Sequence, residues 1–171
     1  ERLASPPPET PGGFEYSNLN YIIAGAAIEA MTGQTWEEAI MDRVIQADGS
    51  DWSEGWGFGP PPSGPIGHGT LFGMKIPQGR GSDADNPPAL GPAGTMHAPI
   101  GSHLRLLTQF VDQKSPFITP QMRGHLLTPW PDGDADYAMG WGVSERDGIG
   151  QVIAHRGSNT MWLSHAELLP D

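Results

Sequence analysis

Pro11-Gly12-Gly13-Phe14-Glu15-Tyr16-Ser17-Asn18 runs directly into Leu19-Asn20-Tyr21-Ile22-Ile23-Ala24-Gly25-Ala26-Ala27-Ile28-Glu29-Ala30-Met31-Thr32-Gly33. In the second stretch Leu19, Ile22, Ile23, Ala26, Ala27, Ala30 and Met31 recur at helical spacing, so the pattern predicts one continuous apolar face, with Gly33 placed to end the helix. The first stretch is a turn followed by three polar groups fixed at a helix entrance. Taken alone, Ser17 or Asn18 there reads as a helix cap.

Upstream, Glu1 to Gly13 carries Pro6, Pro7, Pro8 and Pro11 and is expected to be an extended lead-in. Downstream, Thr35 and Glu38 have capping-box spacing and predict a second helix from about Trp36 to Gln46. Between Ala47 and Pro99 there are 12 Gly and 9 Pro in 53 residues, too many for regular elements of any length. That segment is expected to be an irregular loop forming a cleft wall. Helical spacing returns from Pro99 to Gln113, where Ile100, Leu104, Leu107 and Val111 share a face, and a short helix opens at Thr119-Pro120. After an Asp/Gly turn at Asp132 to Asp136, the runs Tyr137–Ser144, Gln151–His155 and Met161–Leu169 read as an antiparallel meander, with turns at Asp147-Gly148 and Gly157-Ser158-Asn159. The expected architecture is α+β: helices and loops in residues 1–134, and an antiparallel sheet portion of the same domain in 135–171.

Composition removes several classes of function. The 171 residues include 9 Lys and Arg against 20 Asp and Glu, a net charge of −11, which repels a polyanion, so nucleic acid is a poor partner. Zero cysteines exclude disulfides, thiolate metal sites and cysteine nucleophiles, but leave the compartment open. The longest apolar run, Tyr21 to Ile28, is far short of a bilayer span of about 20 residues, and no basic-then-apolar leader opens the sequence. A metal site finds little support, because His97 and His103 do not share a helical face and Asp132-Gly133-Asp134-Ala135-Asp136 lacks the pattern of a calcium loop. No cofactor is called for.

A second polar cluster, His155-Arg156-Gly157-Ser158, closes a predicted strand and, taken alone, reads as an ordinary strand exit. Together with Tyr16-Ser17-Asn18 and with Gly91-Pro92-Ala93-Gly94-Thr95-Met96 between them, it resembles the serine β-lactamase and penicillin-binding-protein superfamily, in its class C β-lactamase-like branch. The family's Tyr-x-Asn motif matches Tyr16 and Asn18. Its Lys-Thr-Gly or His-x-Gly motif matches His155, Arg156 and Gly157, and the segment 91–96 is similar to its Gly-Gly-Met turn. The resemblance implies a β-lactamase/transpeptidase-like fold with a helical and loop lobe packed on an antiparallel sheet. It also implies acyl-enzyme hydrolysis of a small ester, amide or lactam.

The family nucleophile sits in a Ser-x-x-Lys motif, and here Lys75 and Lys114, the only lysines, follow Phe72 and Val111 at that spacing. These residues are therefore expected to be part of a longer parent chain, incomplete at both ends and inert alone. The resemblance implies that Tyr16 and His155 act in catalysis, that Asn18, Arg156, Gly157 and Ser158 contact substrate, and that the Ser158 amide is an oxyanion donor. All of them are expected to converge on one cleft, with His68 more simply read as a surface histidine. A phenol ordinarily titrates near 10, so a tyrosine base near neutrality needs about 4 kcal/mol from neighbouring cations. Histidine in place of the motif lysine weakens carboxylate binding, which favours an esterase or amide hydrolase over an efficient β-lactamase. The rival reading is a binding module that has lost its nucleophile. A truncated sheet also leads to an expectation of exposed strand edges and poor solubility.

Overall fold

The structure is a computed structural model that describes residues 16–130 and 136–170. The proline-rich lead-in and the turn at 131–135 lie outside the described residues. The architecture is α+β, and the described chain divides into two compact units.

The first unit holds residues 17–103 and 158–163. Helix α1 (Asn18–Thr32) starts from Ser17, whose Oγ accepts the Leu19 amide at 3.3 Å, and ends at Gly33, which takes the left-handed conformation (φ 72°) that a side chain would resist. Helix α2 (Trp36–Ile40) carries both halves of the expected capping box: Thr35 Oγ1 accepts the Glu38 amide at 3.2 Å and Glu38 Oε2 accepts the Thr35 amide at 2.9 Å. It continues as a π-helical turn, Met41–Ile45, so the element expected to reach Gln46 exists with a change of pitch. Glu29 Oε1 accepts the Trp36 amide at 3.0 Å and ties α2 to α1. Trp36, Ala39, Ile45, Trp52 and Ala84 are the buried apolar residues of this unit.

The Gly/Pro-rich segment is more regular than its composition predicts. It pairs β1 (Gly57–Phe58) with β4 (Met96–His97) and folds β2 (His68–Leu71) against β3 (Met74–Pro77) as a hairpin. Phe72 (φ 48°) and Gly73 (φ 78°) make a two-residue turn whose twist suits a hairpin. Arg80 braces the proline cluster by donating to the carbonyls of Pro61 (2.6 Å) and Gly64 (2.5 Å). The four-residue helix α3 (Gly91–Gly94) packs on α1, where Pro92 lies so close to Gly25 that a Cβ built there would be 2.3 Å from Pro92 Cγ.

The second unit holds residue 16, most of α4 (Ile100–Val111), α5 (Pro120–Leu127), and the strands β5 (Gly142–Arg146), β6 (Gly150–Ser158) and β7 (Leu163–Leu168). Thr119 caps α5 and Pro120 opens it, as the sequence leads one to expect. The sheet has the order β5-β6-β7; β5 and β6 are antiparallel from Gly142↔Ala154 to Arg146↔Gly150. The run expected as one strand from Tyr137 is broken, because Gly140 (φ 84°) makes a tight turn in which the Ala138 amide donates to the Trp141 carbonyl at 2.7 Å. Leu107, Ala138, Trp141 and Ile153 form the core here. Ile153 is fully buried and contributes about 1.5–3 kcal/mol.

Two helix faces are less covered than periodicity predicts. In α1 only Gly25 is buried, with Ile23 58% and Met31 86% exposed. In α4 Leu107 is buried and Val111 half-buried, but Ile100 and Leu104 are exposed.

Candidate active site

Tyr16 stands immediately before the α1 cap, outside any helix or strand, and is exposed. Its ring meets Tyr137 edge-on, with centroids 6.3 Å apart and planes at 88°. Tyr137 forms an antiparallel bridge to Gly142, and Gly142 pairs with Ala154, the residue before His155. His155 in turn lies edge-on to Trp141, centroids 5.9 Å apart. Within the second unit the two aromatic residues singled out from sequence are thus linked through Tyr137 and the start of the sheet.

The geometry fixes the histidine tautomer. His155 Nδ1 is 2.7 Å from the Gly140 carbonyl oxygen. A carbonyl only accepts, so Nδ1 carries the hydrogen and, in the neutral ring, Nε2 keeps its lone pair. A Cβ built on Gly157 would lie 3.7 Å from Nε2, and glycine there leaves that nitrogen open. Trp141, buried and packed on Phe110 with ring centroids 5.0 Å apart, gives the imidazole a rigid wall. Arg156 is exposed, and strand alternation directs it away from the His155 face.

Asn18 and Ser158 belong to the first unit. Ser17, not Asn18, supplies the capping oxygen, and Asn18 is the exposed first residue of α1. Ser158 Oγ accepts the Thr160 amide at 3.1 Å, so this hydroxyl serves the turn after β6. His68 is exposed at the start of β2, and its amide donates to the Met161 carbonyl at 3.1 Å. Of the Gly91–Met96 segment, Pro92 packs on α1, Thr95 is buried, and Met96 pairs with Phe58.

Sequence reasoning passed over Tyr137, Gly140 and Trp141. Their signal is the alternation Tyr137-Ala138-Met139-Gly140-Trp141-Gly142, in which glycines flank a tryptophan and permit a tight turn under an aromatic wall. Among the described residues no three His, Asp or Glu side chains are grouped to hold a metal ion, and no helix is long and apolar enough to cross a membrane.

Comparison with solved structures places this architecture among β-lactamase/transpeptidase folds. The chain is similar to the octameric penicillin-binding protein homologue from Pyrococcus abyssi (TM-score 0.72, 17% identity, 92% of this chain and 36% of that one). It is similar also to SurE with D-Leu (TM-score 0.67, 22% identity, 94% and 38%). A third likeness is to the D-amino acid amidase from Ochrobactrum anthropi SV3 complexed with D-phenylalanine (TM-score 0.58, 18% identity, 85% and 45%). The chain therefore spans less than half the length of each of these proteins. No curated protein matches it. A family model described as Beta-lactamase matches residues 1–171, the whole of the sequence, and with the α+β fold established the chain belongs to the β-lactamase family, a family of hydrolase type.

Proposed function

We propose that these residues form part of a serine hydrolase of the class C β-lactamase-like branch, acting on a small ester, amide or lactam, with ester or amide substrates preferred. In this reading a serine from a Ser-x-x-Lys segment of the parent chain attacks the acyl carbon. Its proton passes through the lysine and Tyr16 to the leaving group, and water then releases the acyl group. Asn18 and Gly157 contact the substrate and the Ser158 amide stabilises the oxyanion, while Arg156, on the opposite face of the strand from His155, adds positive charge only at a distance. His155, with Nδ1 committed to Gly140, offers Nε2 as an acceptor or, when protonated, as a donor.

The observation that carries this reading is the aromatic path Tyr16–Tyr137 and Trp141–His155, which brings residues some 140 positions apart into one unit. The uncovered apolar positions Ile23 and Met31 on α1 favour a parent polypeptide that packs over them, and so a partner in the rest of that chain. The preference for esters rests on histidine standing where a lysine would hold a substrate carboxylate.

The test is turnover of short-chain p-nitrophenyl esters and of nitrocefin by the full-length parent, with Tyr16→Phe beside the wild type. Ester turnover that falls at least about a hundredfold in Tyr16→Phe supports the reading. Strong lactam hydrolysis without esterase activity overturns the substrate preference. A native polypeptide of about this length, with no serine labelled by a fluorophosphonate, points to a binding module instead.

A further inference from the structure

The turn after β6 is held by side chains, and they bind it to a part of the fold far away in sequence. Asn159 Oδ1 accepts the amides of Met161 (3.2 Å) and Trp162 (2.9 Å), while Ser158 Oγ accepts that of Thr160. Two donors on Oδ1 settle the orientation of the amide, so its other end is Nδ2, which donates to Asp85 Oδ1 at 2.6 Å. The same carboxylate oxygen accepts the Asn86 amide at 2.7 Å, and Asn86 Nδ2 donates to the Gly94 carbonyl at 3.0 Å. Trp162 reinforces the attachment: its Nε1 donates to the carbonyl of Ala84, which is fully buried, and its indole fills the space where a Cβ on Gly67 would come within 2.6 Å.

Thr160 sits within this turn at φ 72°, a left-handed conformation that a branched residue resists. The surroundings impose that backbone shape, and the hydrogen bonds of Asn159 and Ser158 offset its cost. We propose that Asn159 and Asp85 are positioning residues: the Asp85 carboxylate fixes the Asn159 amide, and Asn159 fixes the backbone at Ser158, whose N–H is the oxyanion donor of the reading above. This inference rests on that reading. It gives the Gly/Pro-rich segment a function at a distance, since Asp85, 74 positions earlier, sets where the donor stands. An oxyanion donor is useful only when preorganised, and displacement by about 1 Å costs on the order of a hundredfold in rate.

The experiment compares Asn159→Ala, Asp85→Ala and Asp85→Asn in the full-length parent. Asparagine at 85 retains an oxygen that can accept from Asn159 Nδ2 and from the Asn86 amide. The expected result is a fall in kcat of about 30- to 100-fold for the two alanine variants with KM within about threefold, and recovery to within about fivefold of wild type for Asp85→Asn. Amide hydrogen exchange at residues 158–162 is expected to speed up in the alanine variants and not in Asp85→Asn. If wild type turns over ester and all three variants keep kcat within about threefold, the positioning role is overturned while the hydrolase reading stands. An equal loss in Asp85→Asn, with unchanged exchange, also overturns it. A wild-type parent that forms no acyl-enzyme overturns both.

Discussion

His155 donates its Nδ1 hydrogen to the Gly140 carbonyl across 2.7 Å, and so turns the opposite ring nitrogen toward the backbone of Gly157. The bond holds a ring that is otherwise exposed on a strand, and Trp141 supplies the wall against which it is held. In the neutral ring the Nδ1–H tautomer is expected to dominate, opposite to the usual solution preference. Two-bond ¹H–¹⁵N spectra at alkaline pH check this directly: a pyrrole-type Nδ1 and a pyridine-type Nε2 are expected, and the reverse pattern would contradict the geometry. Gly157→Leu should cover Nε2 and cut activity of the parent at least about tenfold, while Gly157→Ala, whose Cβ makes only ordinary contact at 3.7 Å, should keep most of it.

Gly25 lies within α1, where alanine would ordinarily be the better helix former by about 1 kcal/mol. Here Pro92 blocks that gain. A Cβ at 2.3 Å from Pro92 Cγ and 2.9 Å from its Cβ meets a ring that cannot swing aside, so α3 must move away from α1. Gly25→Ala is expected to destabilise by about 1–3 kcal/mol, as other overpacked sites do. Urea unfolding of wild type and variant gives the difference; a variant as stable as wild type would mean that the α1–α3 approach is looser than the structure shows.

The helices were legible because their signals are local. Apolar spacing places α1 and α4, and Thr35, Glu38, Thr119 and Pro120 mark helix starts through groups only a few residues apart. The β2–β3 hairpin was not legible, because its turn has a phenylalanine at positive φ where asparagine or glycine would announce it. The break at Gly140 is made by a backbone bond from Ala138 to Trp141, and its one sequence trace is the pair of glycines flanking Trp141, which apolar alternation through the run overrides. For the candidate site, Tyr16 and His155 are singled out by resemblance to family motifs, but their link through Tyr137 and Trp141 depends on pairing between β-segments. The Asp85–Asn159 contact joins residues 74 apart, and nothing in either neighbourhood names the other.

Glu167 lies on β7 with Arg146 Nη2 3.3 Å from its Oε1 and His165 Nε2 at 3.4 Å. The hydrogen bond and charge of Arg146, followed by those of His165, hold its carboxyl below the ordinary value of 4.5. A depressed folded value means that the stabilising contribution is present at neutral pH and is lost as the pH falls through the folded value. The stability difference between wild type and Glu167→Gln should therefore be level above about pH 5.5 and shrink on acidification below about pH 4.5. It should be small and weaken with salt, because the group is exposed. Urea midpoints for both proteins across that range, at two ionic strengths, test the direction; a difference that grows on acidification would contradict it.

Arg123 is the one buried cationic side chain among the described residues, and its partners are mostly carbonyls. Its Nε donates to the Phe110 carbonyl at 2.7 Å; its Nη2 reaches those of Gln109 and Ile118, each at 3.3 Å, and that of Asp112; its Nη1 meets Gln113 Oε1 at 3.3 Å. Three of these carbonyls belong to the last turn of α4 and the residue after it, where a helix leaves acceptors without amide partners and presents the negative end of its dipole. One guanidinium from α5 satisfies them and joins the two helices. Arg123→Met keeps most of the stem volume but strands the acceptors, so a loss of about 3–5 kcal/mol is expected. Arg123→Lys keeps the charge, yet a single ammonium cannot span the fan of acceptors, and a loss of about 1–3 kcal/mol is expected. Urea unfolding ranks the two variants. A methionine variant no worse than the lysine one would mean that packing of the stem, and not the capping of α4, is what Arg123 provides.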